Sequence, residues 1–82
     1  MEKIDISLKF CGALKEFFTD HNIQVGEEIL VGELIDKLLN TNYVAKTVFD
    51  VSQVAIGLQI VRRDFKISVN CEVVFMPPFS GG

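Results

Sequence analysis

Lys3-Ile4-Asp5-Ile6-Ser7-Leu8-Lys9-Phe10 sets Ile4, Ile6, Leu8 and Phe10 on one side of an extended chain and Lys3, Asp5, Ser7 and Lys9 on the other. Side chains alternate across a strand, so this stretch reads as a half-buried β-strand with one dry face. A second pattern has a different period. Val31, Leu34, Ile35, Leu38 and Leu39 recur at i, i+3, i+4, i+7 and i+8, the single apolar stripe of an amphipathic helix. Glu33, Asp36 and Lys37 take its wet side, and the acidic Glu27, Glu28 and Glu33 gather at its start, where the helix dipole favours them. One strand and one helix, each with a dry face, must cover one another.

The remaining elements extend from these two. Residues 12–18 read as a short helix ending before Thr19-Asp20-His21-Asn22, and residues 23–25 as a short second strand. Asn40-Thr41-Asn42 ends the main helix, and residues 43–49 read as a further helical piece. Residues 53–61 read as a β-branched strand interrupted at Gly57, where a glycine suggests a bulge or a close backbone approach. Arg62-Arg63-Asp64 is a polar turn and residues 65–67 a short strand. Glu72 to Met76 form the last strand, and Pro77-Pro78 stops it because proline cannot donate to a ladder. The expected class is α+β, a mixed sheet covered by one main helix. The expected organisation is one domain over residues 1–76 and a flexible C-terminal tail over residues 77–82.

The 82 residues suffice for one domain. A domain of this size buries only about 60% of the surface of its unfolded chain. It has little room for an internal cleft, so function belongs on a surface, a loop or a terminus. Apolar residues make up 49% of the chain and the mean hydropathy is +0.34. Two readings of this excess stand open, a dense core or an exposed apolar patch awaiting a partner. The net charge is −3 with Lys and Arg scattered, which excludes a nucleic-acid footprint. Met1-Glu2-Lys3 runs straight into the first strand, and the apolar runs fall far short of a membrane span. A cytoplasmic protein without signal peptide or membrane association is expected.

Cys11 and Cys71 have no CxxC or Cys/His neighbours, so no zinc or other metal site is expected and both read as free, partly buried thiols. His21, the one histidine, has no nearby Ser or Cys to serve as base for, and reads as a surface loop residue.

The chemistry sits at the end of the chain, in Pro77-Pro78-Phe79-Ser80-Gly81-Gly82. From average composition, Pro-Pro-x-x-Gly-Gly has a chance frequency on the order of one in 10⁵. The prolines stiffen the exit from the sheet and carry the chain away from the body. Gly81-Gly82 lacks side chains and fits a channel too narrow for any Cβ. The Gly82 carboxylate is then the reactive group. Coupled to AMP it becomes a mixed anhydride, open to attack by a thiol or persulfide, and a terminal glycine leaves that carbonyl unhindered.

The chain resembles the MoaD family, the small subunit of molybdopterin synthase, along its whole length. The resemblance rests on Ile4-Asp5-Ile6-Ser7-Leu8-Lys9-Phe10 followed by Leu14-Lys15-Glu16-Phe17, on the helix of residues 31–39, and on Glu72-Val73-Val74-Phe75-Met76-Pro77-Pro78-Phe79-Ser80-Gly81-Gly82. It implies a ubiquitin-like β-grasp fold with first and last strands parallel and adjacent. It implies that an ATP-dependent activating enzyme adenylates the Gly82 carboxylate, which is then converted to a thiocarboxylate. The tail would enter the large synthase subunit, in a heterotetrameric assembly, and donate sulfur to cyclic pyranopterin monophosphate in molybdenum cofactor biosynthesis. The AMP and thiocarboxylate are transient covalent states, with no bound cofactor, and the catalytic side chains would belong to the partner.

Two segments depart from the family pattern. Ala55-Ile56-Gly57 stands where an Ala-Val-Asn-like segment is usual. Val69-Asn70-Cys71-Glu72 replaces an Asp-Gly-Asp-Glu turn, with Asn70 a candidate for the left-handed conformation. Other readings are a ThiS-like carrier of the thiazole pathway, a ubiquitin-like modifier joined to lysines, and a plain interaction module. Strand alternation yields a partner-binding expectation: with Val73 and Phe75 facing the core, Val74 and Met76 face away and join Phe79 in an apolar patch leading to the tail. The parallel arrangement also sets Cys11 and Cys71 at opposite ends of their strands, about 25 Å apart and beyond disulfide reach.

Overall fold

The computed structural model of the chain describes residues 3–78. In chain order its elements are β1 (Ile4–Phe10), a 3-10 turn (Gly12–Glu16), β2 (His21–Val25), β3 (Ile29–Leu30), α1 (Val31–Thr41), a second 3-10 turn (Tyr43–Ala45), α2 (Lys46–Asp50), β4 (Gln53–Ile56), β5 (Gln59–Val61), β6 (Lys66–Ile67) and β7 (Cys71–Met76). The main sheet has the order β2-β1-β7-β4-β5, and β3 pairs with β6 in a small separate ladder. At the centre β1 and β7 run parallel, with Leu8 opposite Val73 and Phe10 opposite Phe75. The other pairs of the main sheet are antiparallel. The first and last strands thus lie in the middle of the sheet, and α1 covers one face.

The alternation of β1 holds along the strand, with Ile4 and Ser7 half-buried. Ile6, Leu8 and Phe10 are buried while Lys3, Asp5 and Lys9 are exposed. On α1 the stripe residues Val31, Leu34, Ile35 and Leu38 are buried against them. The centre of the core is aromatic. Phe10 stacks on Phe18 at 5.1 Å and on Phe75 at 5.3 Å, and Phe49 meets Phe75 edge-on at 5.4 Å between centroids. Rings at these separations contribute about 0.5–1.5 kcal/mol per pair beyond their area. The apolar excess therefore does both things expected of it. It fills a dense core and also leaves Tyr43, Val44, Val51, Leu58, Ile60, Phe65 and Val69 exposed.

The start of α1 has no polar N-cap side chain, because Leu30 occupies that position. Its free N–H groups find other partners. Glu33 Oε1 accepts from Leu30 N at 2.9 Å, and the carbonyls of Phe65 and Arg63 accept from Val31 N and Gly32 N at 3.0 and 2.8 Å. At its other end α1 finishes at Thr41, within the expected Asn40-Thr41-Asn42 stop, where the Thr41 hydroxyl donates to Leu38 O at 2.7 Å.

Three sequence expectations need correction. Residues 53–61 are two strands, and Gly57 belongs to a two-residue hairpin turn with Leu58 instead of a bulge. Both turn residues have positive φ, +58° and +71°, the type I′ pattern whose twist matches the flanking strands. Asn70 does not have positive φ; its Oδ1 accepts from Asp5 N at 2.8 Å, pinning the turn before β7 to the start of β1. His21 opens strand β2 opposite Leu8 and stacks on Phe10 at 6.0 Å, with Nδ1 2.7 Å from Thr19 O. Arg63 lies in the expected polar turn, and from there its side chain reaches back to the end of α2 and donates to Phe49 O at 2.6 Å and Ser52 O at 3.1 Å.

Candidate functional site

The site is assembled from three strands and the place where the chain leaves them. Val73 and Phe75 are fully buried, and alternation turns Val74 and Met76 to the face that α1 does not cover. Register brings Ala55 beside Val74 and Ile60 beside Ala55, while Gln53 lies beside Met76. Val74, Met76, Ala55, Ile56, Ile60 and Leu58 line an open groove of about 610 Å³ on this face. Its border toward β1 is polar. Lys9 and Glu72 approach to 3.9 Å there, an exposed pair of the kind that adds little stability.

The expected partner residues Val74 and Met76 therefore do share a surface. The contributions of Ala55, Ile60 and Leu58 were not read from the sequence. The signal for Ala55 and Ile60 was present in the alternation of residues 53–61, but it required placing the hairpin turn at residues 57–58.

β7 ends at Met76, and Pro77 and Pro78 follow outside the ladder, as the proline stop required. The exit is fixed by packing as well as by ring stiffness. Cys11 N donates to Phe75 O at 3.1 Å, which draws the chain after β1 alongside the end of β7. Gly12 then turns with φ +56°, and a Cβ at this position would stand 3.2 Å from Pro77 Cγ. Pro77 is half-buried against this glycine and Pro78 is exposed. Phe79, Ser80, Gly81 and Gly82, which carry the expected anchor and the reactive carboxylate, lie outside the described residues.

Cys11 and Cys71 are both free thiols. The register sets Cys71 opposite Ile6, so Cys11 lies five positions further along (11 − 6 = 5). At about 3.3 Å per residue they are roughly 16 Å apart. That is closer than the 25 Å expected, because β7 begins level with the middle of β1, yet still well beyond disulfide reach. Burial pushes the Cys71 thiol above its ordinary pKa. Among the described residues no group of three His, Cys, Asp or Glu side chains is arranged to hold a metal ion, and no helix is long and apolar enough to cross a membrane.

A mixed sheet with parallel first and last strands at its centre, one helix across it and a C-terminal exit beside an apolar open face defines a ubiquitin-like β-grasp domain. It is the fold of ThiS/MoaD-type sulfur carriers. The model of the ThiS family matches residues 8–82, and the chain belongs to that family. Solved structures agree on the fold. Small archaeal modifier protein 1 (SAMP1) from Haloferax volcanii superposes with a TM-score of 0.77 at 20% identity, over 95% of this chain and 99% of that one. A putative molybdopterin converting factor, subunit 1, from Pyrococcus furiosus gives 0.77 at 16% identity, over 93% and 99%. Small archaeal modifier protein 1 from Methanosarcina acetivorans gives 0.73 at 17% identity, over the whole of both chains. No curated protein matches the sequence.

Proposed function

We propose that this protein is a sulfur carrier that delivers sulfur from a thiocarboxylate at Gly82, with molybdopterin synthesis as its pathway. The observation that carries the reading is the Pro77-Pro78-x-x-Gly81-Gly82 end, which follows directly from the central strand β7 and falls within the family match. An ATP-dependent activating enzyme couples the Gly82 carboxylate to AMP with loss of pyrophosphate. A persulfide on a partner cysteine then attacks the carbonyl and AMP departs; a second thiol cleaves the S–S bond of the resulting acyl disulfide, itself ending in a disulfide, and the thiocarboxylate is left at Gly82. The large subunit of molybdopterin synthase receives the tail, and cyclic pyranopterin monophosphate takes the sulfur.

This chain supplies no catalytic side chain of its own. Its contributions are a narrow tail, a fixed exit at Pro77 and Pro78, and a docking face at Val74 and Met76, with Phe79 as an aromatic anchor. A second reading is favoured by the likeness to small archaeal modifier protein 1. In it the same adenylated Gly82 is passed to a lysine amine, forming an isopeptide bond.

The test is to charge and react two variants, Gly81→Val and a chain with one residue appended after Gly82, with purified activating enzyme and synthase. Valine adds a branched Cβ that widens and stiffens the tail. An added residue moves the carboxylate past the reacting centre, where about 1 Å of misplacement can cost 10²-fold in rate. Both variants keep the parent melting temperature and lose sulfur transfer. Near-normal turnover by either would overturn the carrier reading, and lysine conjugates without sulfur transfer by the parent would favour the modifier.

A further inference from the structure

The hairpin joining β4 to β5 contains a feature that the fold does not require. A two-residue I′ turn needs positive φ at both central positions, which glycine, asparagine and aspartate supply with little strain. Gly57 meets that need, but the second position is Leu58 at φ +71°, the one non-glycine residue with positive φ among those described. A leucine Cβ crowds the backbone in this conformation. Such strain persists when burial of the side chain offsets it, yet Leu58 is fully exposed and packs on nothing in its own chain. Residues held in sparsely populated conformations cluster at ligand clamps and contact sites.

Leu58 also stands at a particular place. It lines the same groove as Ala55, Ile60, Val74 and Met76, at the end remote from the tail. Ile56 pairs with Val73, so the turn beyond Ile56 lies level with the start of β7, whereas the tail leaves from its end. Cys71 to Met76 spans five steps, about 16 Å. Four residues follow Pro78, and four residues reach about 14 Å at most. An enzyme that takes Gly82 into its active site must therefore come close to the body of this domain. On the face not covered by α1, it meets an apolar groove that ends at Leu58.

We infer that Leu58 is the distal anchor of this docking face, inserting into an apolar depression on the adenylating partner and holding the body while the tail is threaded. The inference rests on the carrier reading and adds a specificity-determining residue to it. Leu58 stands level with the start of β7, at the end of the face remote from Pro77 where the tail leaves, so it governs how tightly the carrier binds and leaves the chemical step alone.

The experiment is ATP–pyrophosphate exchange by the source cell's own adenylating enzyme, with full-length Leu58→Asn, Leu58→Met and Met76→Gln as substrates, together with thermal melts. Asparagine tolerates the left-handed conformation and lacks the apolar reach. Leu58→Asn raises the melting temperature by about 5 °C. It also raises KM about tenfold, the scale for losing one buried aliphatic side chain, with kcat unchanged. Leu58→Met retains both the strain and the apolar reach, and keeps KM within about threefold of the parent. A parental KM for Leu58→Asn with a raised KM for Met76→Gln overturns the anchor and leaves the docking face standing. Parental KM values for both overturn the face as well. A lower melting temperature for Leu58→Asn overturns the inference by showing that the leucine serves the hairpin itself.

Discussion

Gly12→Ala tests how the fold fixes the direction of the tail. Two costs add at this position. Gly12 has φ +56°, and holding a non-glycine residue there costs about 1–2 kcal/mol. Replacing glycine also restricts the unfolded chain, which offsets about 0.4–1 kcal/mol of that cost. The new Cβ would then lie 3.2 Å from Pro77 Cγ, inside the ~3.5–4.0 Å optimum for two carbons, so the proline must give way by a few tenths of an ångström. The net expectation is a loss of about 1 kcal/mol, which for 82 residues lowers the melting temperature by roughly 6 °C.

Thermal melts of three variants separate the terms. Gly26→Ala is the control: nothing lies within 4 Å of its added Cβ and its φ is not positive, so it should hold or gain stability. Pro77→Ala removes Cγ, and in that background Gly12→Ala should cost only the backbone part. Adenylation kinetics complete the set. Gly12→Ala slows adenylation more than its small stability loss explains, and Pro77→Ala does not restore the rate, because the ring that aims the tail is then missing. A Gly12→Ala protein as stable as the parent, or a cost unchanged by Pro77→Ala, would refute the packing of Gly12 on Pro77 as the device that sets the exit.

Two further outcomes follow from the site. Phe79→Ala weakens partner binding by about 2 kcal/mol in a titration while leaving the melt unchanged, as for an aromatic interface anchor; a large fall in melting temperature with normal affinity would mean that Phe79 serves its own fold. Cys71 gives a pH dependence. Its folded pKa is raised by burial above the ordinary 9.0, so the unfolded chain releases its proton first as pH rises. Stability conferred by the protonated thiol is complete below pH 9.0 and is lost as pH climbs from there through the folded value. Denaturant melts of the parent against Cys71→Ala should diverge only in that alkaline window, and a difference in slope confined to acid pH would contradict the burial of this thiol.

The parts of the fold legible in the sequence are those where one face is dry. β1 and α1 could be read because each buries a regular set of positions, Ile6, Leu8 and Phe10 on one and Val31, Leu34, Ile35 and Leu38 on the other. The end of β7 could be read because proline lacks a donor. Residues 53–61 were misread because a leucine in the left-handed conformation carries no turn signal, and glycine alone marks a bulge as well as a turn. The role of Asn70 and the side-chain contacts of Arg63 escape a local reading because they depend on distant backbone groups, Asp5 N in one case and the carbonyls of Phe49 and Ser52 in the other. The site followed the same rule. Val74 and Met76 came from strand alternation, whereas Ala55, Ile60 and Leu58 join them only through the register of β4 with β7 and of β5 with β4. The contact of Gly12 with Pro77 joins residues 65 positions apart (77 − 12 = 65), and no local pattern announces it.

The carrier reading has one consequence that requires no identified partner. A protein charged with sulfur at its C-terminus differs from the uncharged chain by one atom, the sulfur that replaces a Gly82 carboxylate oxygen. Intact mass of the chain isolated from its native cells without reducing steps measures that difference directly. Two species are expected, the parent and one heavier by the exchange of one oxygen for one sulfur, with the change confined to the C-terminal peptide that ends in Gly81-Gly82. The heavier species should vanish in the form with one residue appended after Gly82. A single uncharged mass from cells actively making the sulfur-containing product, or a sulfur adduct located at Cys11 or Cys71, would contradict it.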